Sequence, residues 1–198
     1  LDNYEIVLVN DGSVDNTLSV IKSLDKKNIK IINNKNNKGQ SSSIFDGVKY
    51  AKYETITTID GDGQNDPADI PRLIDVYFSD EKIKLVGGIR KDRKDSFVKK
   101  ISSKIANYIR SKILDDKCMD TGCSLKVFNK KIFLKFPFFN GMHRFLPALY
   151  RGYGHKTIFV NVNHRKRIYG ISKYGTMNRL FAGIRDVVKV KNILKSKI

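Results

Sequence analysis

Acidic residues are scarce in this chain: 20 Asp and Glu stand against 38 Lys and Arg, a formal net charge of +18. Long apolar runs are missing too, since nothing approaches the roughly 18 consecutive apolar residues of a membrane-spanning helix, and the first residues lack the layout of a secretory leader. Cysteine is limited to Cys118 and Cys123, whose spacing matches no zinc pattern and gives no reason to assume an oxidising compartment. Both are expected as reduced thiols. Internal repeats and linker-like stretches are absent, so a single domain over residues 1–198 is expected. The chain opens on Leu1 rather than Met and enters an extended segment almost at once, the pattern expected of a fragment.

What is present argues for a globular protein, with 40% hydrophobic residues and charges of both signs interspersed. The positive excess implies an anionic partner: nucleic acid, an anionic membrane surface or phosphorylated substrates. Much of it lies late, in "NHRKRIYGISKYG" and "KVKNILKSKI". That clustering suits a membrane surface, where each Lys or Arg near anionic lipid is worth about 1 kcal/mol. A nucleic-acid-binding module would show a recognisable fold signature or an aromatic-studded basic surface, and the sequence has neither.

"YEIVLVN" reads as a strand covered on both faces, and "DGS" ends it with a turn. "SVDNTLSVIKSL" reads as a helix with Leu18, Ile21 and Leu24 on one face and Asp15 or Asn16 as its N-cap. "NIKIIN" is a second strand, "NNKNNKGQSSS" a polar loop and "IFDGVKYAK" a helix. "YETITTI" is a third strand, "DPADIPRLIDVYF" a helix with Pro67 near its first turn, and "KIKLVGGI" a fourth strand. This alternation predicts an α/β fold, a mostly parallel sheet flanked by helices, with ligands beyond the carboxyl ends of the strands. "NDGS" and "DGDGQ" both fall at such ends. After Ile89 a basic amphipathic helix is expected with Phe97, Ile101, Ile105, Ile109 and Ile113 about one turn apart, its stripe packed in a core, and this helix and "KVKNILKSKI" are expected to rest on an anionic membrane surface. "GCSLKVFN" (strand), "HRFLPALYRGYG" (helix), "KTIFVNVNHR" (strand) and "SKYGTMNRLFAGIRDVVKVKNIL" (helix) complete the expected order.

The scarce carboxylates concentrate in "TTIDGDGQNDP". Asp60 and Asp62 flank Gly61, with Gly63 and Gln64 following; the glycines let backbone approach a ligand, and the spacing lets two carboxylates converge on one hard cation. A Mg²⁺ or Mn²⁺ held by one or two carboxylates and otherwise by phosphates is the usual arrangement for diphosphate substrates. The competing explanation is a capped, solvated turn. An EF-hand is excluded, because its twelfth position, counted from Asp60, is Pro71 rather than Glu.

"IVLVNDGSVDNT", "NNKGQSSSIFDG" and "TTIDGDGQNDPADIPRLI", in this order, resemble the family 2 glycosyltransferases with a GT-A (nucleotide-diphospho-sugar transferase) fold. "DTGCSLKVF", "HRFLPAL" and "NHRKRIYGISKYG" are similar to the dolichyl- or polyprenyl-phosphate sugar synthases and their bacterial relatives. The resemblance runs from about Tyr4 to the end. It implies metal-dependent, inverting transfer from a GDP- or UDP-sugar to a polyprenyl or dolichyl phosphate at the cytoplasmic membrane face, with Mg²⁺ or Mn²⁺ as cofactor. Asp60, Asp62 and Gln64 would hold the metal and donor diphosphate. Asp11, with Gly12 and Ser13, would hold the nucleoside; Lys38 and Gly39 lie on the donor side or simply start a helix.

The acceptor oxygen of a phosphate is already ionised, so this chemistry needs cationic positioning rather than a general base. The resemblance implies that positioning from Arg90 on the donor and from Arg93, Lys99, Ser103, Arg167, Ser172 and Lys173 on the acceptor phosphate, Arg167 and Lys173 acting in catalysis through a loop hinged at Gly170. Asp120 would orient the acceptor or a basic residue, or cap a helix. His143 and Arg144 belong to the similar segments, with His143 expected as a structural residue. Relatives carry a further N-terminal strand with a nucleobase-holding segment, absent from this sequence, and many continue into membrane helices. A membrane-embedded partner or a further C-terminal membrane segment is therefore expected, and nucleic acid is not. The alternatives are transfer to a hydroxyl acceptor of a cell-surface polysaccharide, with Asp120 as base, a basic nucleic-acid-binding module, and an inactive scaffold.

Overall fold

The computed structural model of the chain describes residues 3–24, 26–91, 107–166 and 176–196. In chain order its elements are β1 (Ile6–Asp11), α1 (Thr17–Lys22), β2 (Ile29–Asn34), α2 (Gln40–Tyr50), β3 (Thr55–Thr58), α3 (Ile70–Phe78) and β4 (Ile83–Arg90). They continue with helical residues 107–114 as α4, then β5 (Lys126–Asn129), α5 (Lys130–Phe133), α6 (Leu146–Gly152), β6 (Lys156–Val162) and α7 (Thr176–Lys195). The chain forms two compact units, Leu1–Ile56 with Asn129–His143, and Thr57–Phe128 with Arg144–Ile198.

In the first unit β1 and β2 pair in parallel, from Ile6 opposite Ile29 to Asp11 opposite Asn34. Leu18 and Ile21 form the half-buried face of α1, as their spacing predicts, whereas Leu24 lies past the helix end and is exposed. Asn16 takes the cap position without a side-chain bond, and the carboxylate of Asp15 accepts the Thr17 N–H at 3.0 Å. α2 starts at Gln40, so three serines expected in a loop are helical. The cause is tertiary: Gly39, at φ +88°, turns the chain into the helix, and Asp11, distant in sequence, accepts the N–H groups at its start. Gly47 allows close packing on β1, since a Cβ there would sit 3.3 Å from Val9 Cγ2.

The second unit is built on a four-stranded sheet of order β3-β5-β4-β6. β4 and β6 are parallel, with Gly87 opposite Phe159 and Arg90 opposite Val162, while β4 and β5 are antiparallel, with Leu85 opposite Phe128 and Gly87 opposite Lys126. Parallel pairing joins β1 to β2 and β4 to β6, as the sequence predicts, and β5 is the strand that runs against β4. The reason lies just before β5. Asp120 is bonded to Arg90, the last residue of β4, so the chain re-enters the sheet where β4 finishes and must run back along it.

Val86, Leu125, Val127 and Val162 pack with Leu73 and Tyr77 of α3. α6, buried over Leu146–Tyr150, contacts β4 and β6, and its Tyr150 ring lies 6.1 Å from Phe128. Because neighbouring strand residues face opposite ways, Val127 and Phe128 place helices on both faces. That explains the almost wholly apolar, buried run of β4.

The basic amphipathic helix is described only from residue 107, and Phe97, Ile101 and Ile105 lie outside the described residues. Within α4 the stripe is not core: Ile109 is 51% and Ile113 43% exposed. Arg110 is buried instead, donating to Asp116 and to the Cys118 carbonyl, and this ion pair turns the opposite face inward. No helix among the described residues is long and apolar enough to cross a membrane.

Candidate active site

In the second unit the acidic turn follows β3 directly. Asp60, Asp62 and Gln64 are half-buried, while Gly61 and Gly63 are exposed and a Cβ on either would meet nothing within 4 Å. The Asp62 carboxylate accepts the Gln64 N–H at 3.1 Å, which folds the turn back on itself. Gln64 Nε2 lies 3.4 Å from His164 Nε2, and its carbonyl accepts the Arg165 N–H at 2.8 Å, so the turn leans on the chain just after β6. Asp66 holds the Arg165 guanidinium at 2.6 Å and accepts the Ala68 N–H. These bonds, that of Ala68 above all, keep the Asp66 carboxyl below the ordinary aspartate value.

Among the described residues no three His, Cys, Asp or Glu side chains gather into a metal-binding group. The turn nonetheless fits a Mg²⁺ or Mn²⁺ completed by substrate. Its donors are hard oxygens on one short turn, and its glycines leave the outer side open.

Arg90 and Asp120 form a bidentate charged contact in this unit. Arg90 Nε donates to Asp120 Oδ2 at 2.8 Å, Nη2 to Oδ1 at 2.7 Å, and the Arg90 backbone N–H to Oδ2 at 3.1 Å. Sequence reasoning left Asp120 with an acceptor, a basic residue or a helix cap, and the structure brings it onto a basic residue. Gly122 makes room for the pair, because a Cβ there would lie 2.7 Å from Arg90 Nη2. Both side chains are largely withdrawn from solvent, so removing one partner would cost about 3–5 kcal/mol.

Three residues that sequence reasoning missed complete the surroundings. Lys126 is 4% exposed at the start of β5, and its ammonium donates to the Cys123 carbonyl. Burial pushes its pKa down, countered by Cys123, Cys118, Asp120 and Asp60. Ser124 and Asn65 link the acidic turn to the 120–126 segment. The available signal was a lysine inside the apolar "LKVF", a position that a strand buries only for a reason. Cys118 and Cys123 are free and buried; burial pushes the Cys118 thiol to about 11 and raises that of Cys123, so both are protonated at neutral pH.

In the first unit Asp11 ends β1. It accepts from Lys38 N at 2.9 Å, Gly39 N at 2.7 Å and Asn34 Nδ2 at 3.1 Å. Burial alone would raise its carboxyl; the bonds from Lys38, Asn34, Gly39 and Ser43 outweigh that and hold it below the ordinary aspartate value of 3.8. Gly12, at φ +68°, is required, since a Cβ would lie 2.6 Å from Asn37 N. Ser13 is exposed. Lys38 sits at the start of α2 with its ammonium 3.8 Å from Asp46. Ser41 Oγ accepts the Gly141 N–H at 2.8 Å and pairs with His143 Nδ1 at 2.7 Å. Arg144, in the second unit, pairs with Asp186 at 2.8 Å. Arg93, Lys99, Ser103, Arg167, Gly170, Ser172 and Lys173 lie outside the described residues.

An acidic turn directly after a strand, on a sheet with helices on both faces, is the layout of the GT-A glycosyltransferase fold, and solved structures of that class match the chain. Glucosyl-3-phosphoglycerate synthase from Mycobacterium tuberculosis, in complex with Mn²⁺, UDP-glucose and phosphoglyceric acid, superposes with a TM-score of 0.68 at 14% identity, over 96% of this chain and 68% of that one. Mannosyl-3-phosphoglycerate synthase from Rubrobacter xylanophilus gives 0.69 at 11% identity, over 98% and 65%. The chain belongs to Glycosyl transferase family 2, whose profile matches residues 1–136. Among curated relatives, dodecaprenyl-phosphate galacturonate synthase of Rhizobium johnstonii is 36% identical over 98% of this chain and 59% of its own length. Undecaprenyl-phosphate 4-deoxy-4-formamido-L-arabinose transferase of Edwardsiella ictaluri is 32% identical over 88% and 54%. The chain thus spans little more than half the length of these relatives.

Proposed function

We propose that the protein transfers a sugar from a nucleoside-diphosphate sugar to a polyprenyl phosphate, with a divalent cation held by Asp60 and Asp62 and Gln64 beside them. The observation that carries the proposal is the open acidic turn in a chain whose curated relatives are named as polyprenyl-phosphate sugar transferases. The cation, when bound, neutralises the charge developing on the departing nucleoside diphosphate. The chain's own part is to orient and neutralise. Asp120 fixes the plane of the Arg90 guanidinium, ready to meet phosphate without rotamer loss. Arg93, Lys99, Ser103, Arg167, Ser172 and Lys173 are assigned to the acceptor phosphate by resemblance. Asp11 serves the nucleoside role by shaping the Lys38–Gly39 backbone, because its carboxylate is spent on N–H groups.

A hydroxyl acceptor would need a general base. Asp120, the candidate for that base, has both oxygens engaged by Arg90, which favours an acceptor that arrives ionised. The proposed place of action is the anionic face of a membrane, consistent with the chain's charge of +18.

Calorimetric titration of UDP and GDP, with and without Mn²⁺, tests the site. One nucleotide is expected to bind only with the metal, and Asp62→Ala to abolish that binding while the melting temperature is kept. Metal-independent binding, or an unchanged Asp62→Ala titration, would rule the turn out.

A further inference from the structure

Ser124 is joined to the acidic turn at three points, all within the second unit. Its hydroxyl accepts the Asp60 N–H at 3.2 Å and donates to Asn65 Oδ1 at 2.6 Å. Its carbonyl accepts from Thr58 Oγ1 at 2.7 Å. One side chain therefore ties together the first and the last residue of the segment 60–65, and its backbone holds the strand residue just ahead of it. Asn65 is 5% exposed and lies 3.9 Å through Nδ2 from Cys123 Sγ, so it is itself immobilised.

The neighbours of Ser124 are pinned in turn. The carbonyl of Cys123 takes the buried ammonium of Lys126, and that of Leu125 takes the Gly88 N–H at 2.9 Å. Four residues before Ser124, Asp120 grips Arg90. Residues 120–126 thus form a bracket whose one end sets a guanidinium and whose other end sets the carboxylate turn.

We infer that Ser124 is a positioning residue for the metal-binding turn: its hydroxyl holds Asp60 and Asn65 at a fixed separation, so that the Asp60 and Asp62 carboxylates are presented in one geometry before any cation arrives. This rests on the metal-site reading of Asp60 and Asp62. Outer partners of metal ligands typically change affinity by about 10–100-fold when removed. Preorganisation explains why a turn with exposed glycines at 61 and 63 would not squander binding energy on ordering itself.

The test compares wild type, Ser124→Ala and Ser124→Thr in three readings: melting temperature, amide hydrogen exchange of Asp60 and Gln64 without metal, and Mn²⁺ affinity in the presence of UDP or GDP. Ser124→Ala is expected to melt within a few degrees of wild type, to exchange at Asp60 at least about tenfold faster, and to bind Mn²⁺ about 10–100-fold more weakly. Ser124→Thr, which keeps the hydroxyl, should restore both. Unchanged exchange and unchanged affinity in Ser124→Ala would overturn the inference, as would complete loss of its melting transition, which marks a merely structural serine. Should wild type bind no Mn²⁺, the metal-site reading fails, and the exchange of Asp60 still decides whether Ser124 orders the turn.

Discussion

Asp11 illustrates how one carboxylate can be read two ways. Its place in "NDGS" suggests a ligand-facing acid, yet its oxygens are taken by Lys38 N, Gly39 N and Asn34 Nδ2. It acts as a cap supplied from another strand. Its folded-state pKa lies below the ordinary 3.8, so the ionised form adds stability that is present above the unfolded value and lost as pH falls through the folded one. Asp11→Asn removes that dependence. Melting curves between about pH 5 and pH 2 should therefore fall more steeply for wild type than for Asp11→Asn. Parallel curves for the two proteins would contradict the capping role. The pairing of Asp120 with Arg90 could not be read from sequence because the residues stand 30 positions apart. Ser124 escaped notice for the same reason, since its partners Asp60 and Asn65 lie about sixty residues upstream.

At the level of elements, β4 was legible and β5 only in part. The apolar run "KIKLVGGI" announces a strand covered on both faces, and β4 is one. Its paired glycines make sense only with neighbours in place: a Cβ on Gly88 would lie 2.8 Å from Cys123 Sγ, 3.0 Å from Val162 and 3.1 Å from the Leu125 carbonyl. Gly88→Ala should therefore destabilise by about 1–3 kcal/mol through overpacking, lowering the melting temperature by about 2–4 °C per kcal/mol. Gly61→Ala, with nothing within 4 Å, should leave it unchanged. Equal melting temperatures for the two variants would argue against this close strand packing. The direction of β5 was hidden because a long-range ion pair sets where the chain re-enters the sheet. The early start of α2 was hidden because its cap comes from β1. The apolar stripe of α4 looked like core, and burial of Arg110 with Asp116 reversed that helix face.

For the whole molecule, the family was legible from the order of weak motifs, and the GT-A fold follows it. Charge and site describe complementary tasks. A chain carrying +18 is attracted to phosphate-rich surfaces, and its one concentrated acidic turn fits a cation that would bridge to a diphosphate. The measurement that tests this most directly is transfer of labelled sugar to a short polyprenyl phosphate from a panel of nucleotide sugars with Mn²⁺, for wild type and Asp62→Ala. One nucleotide sugar is expected to yield labelled lipid in wild type, and EDTA or Asp62→Ala to remove the product. Labelled lipid formed equally well with EDTA or with Asp62→Ala, or label passing to a hydroxyl acceptor while the lipid phosphate stays untouched, would contradict it.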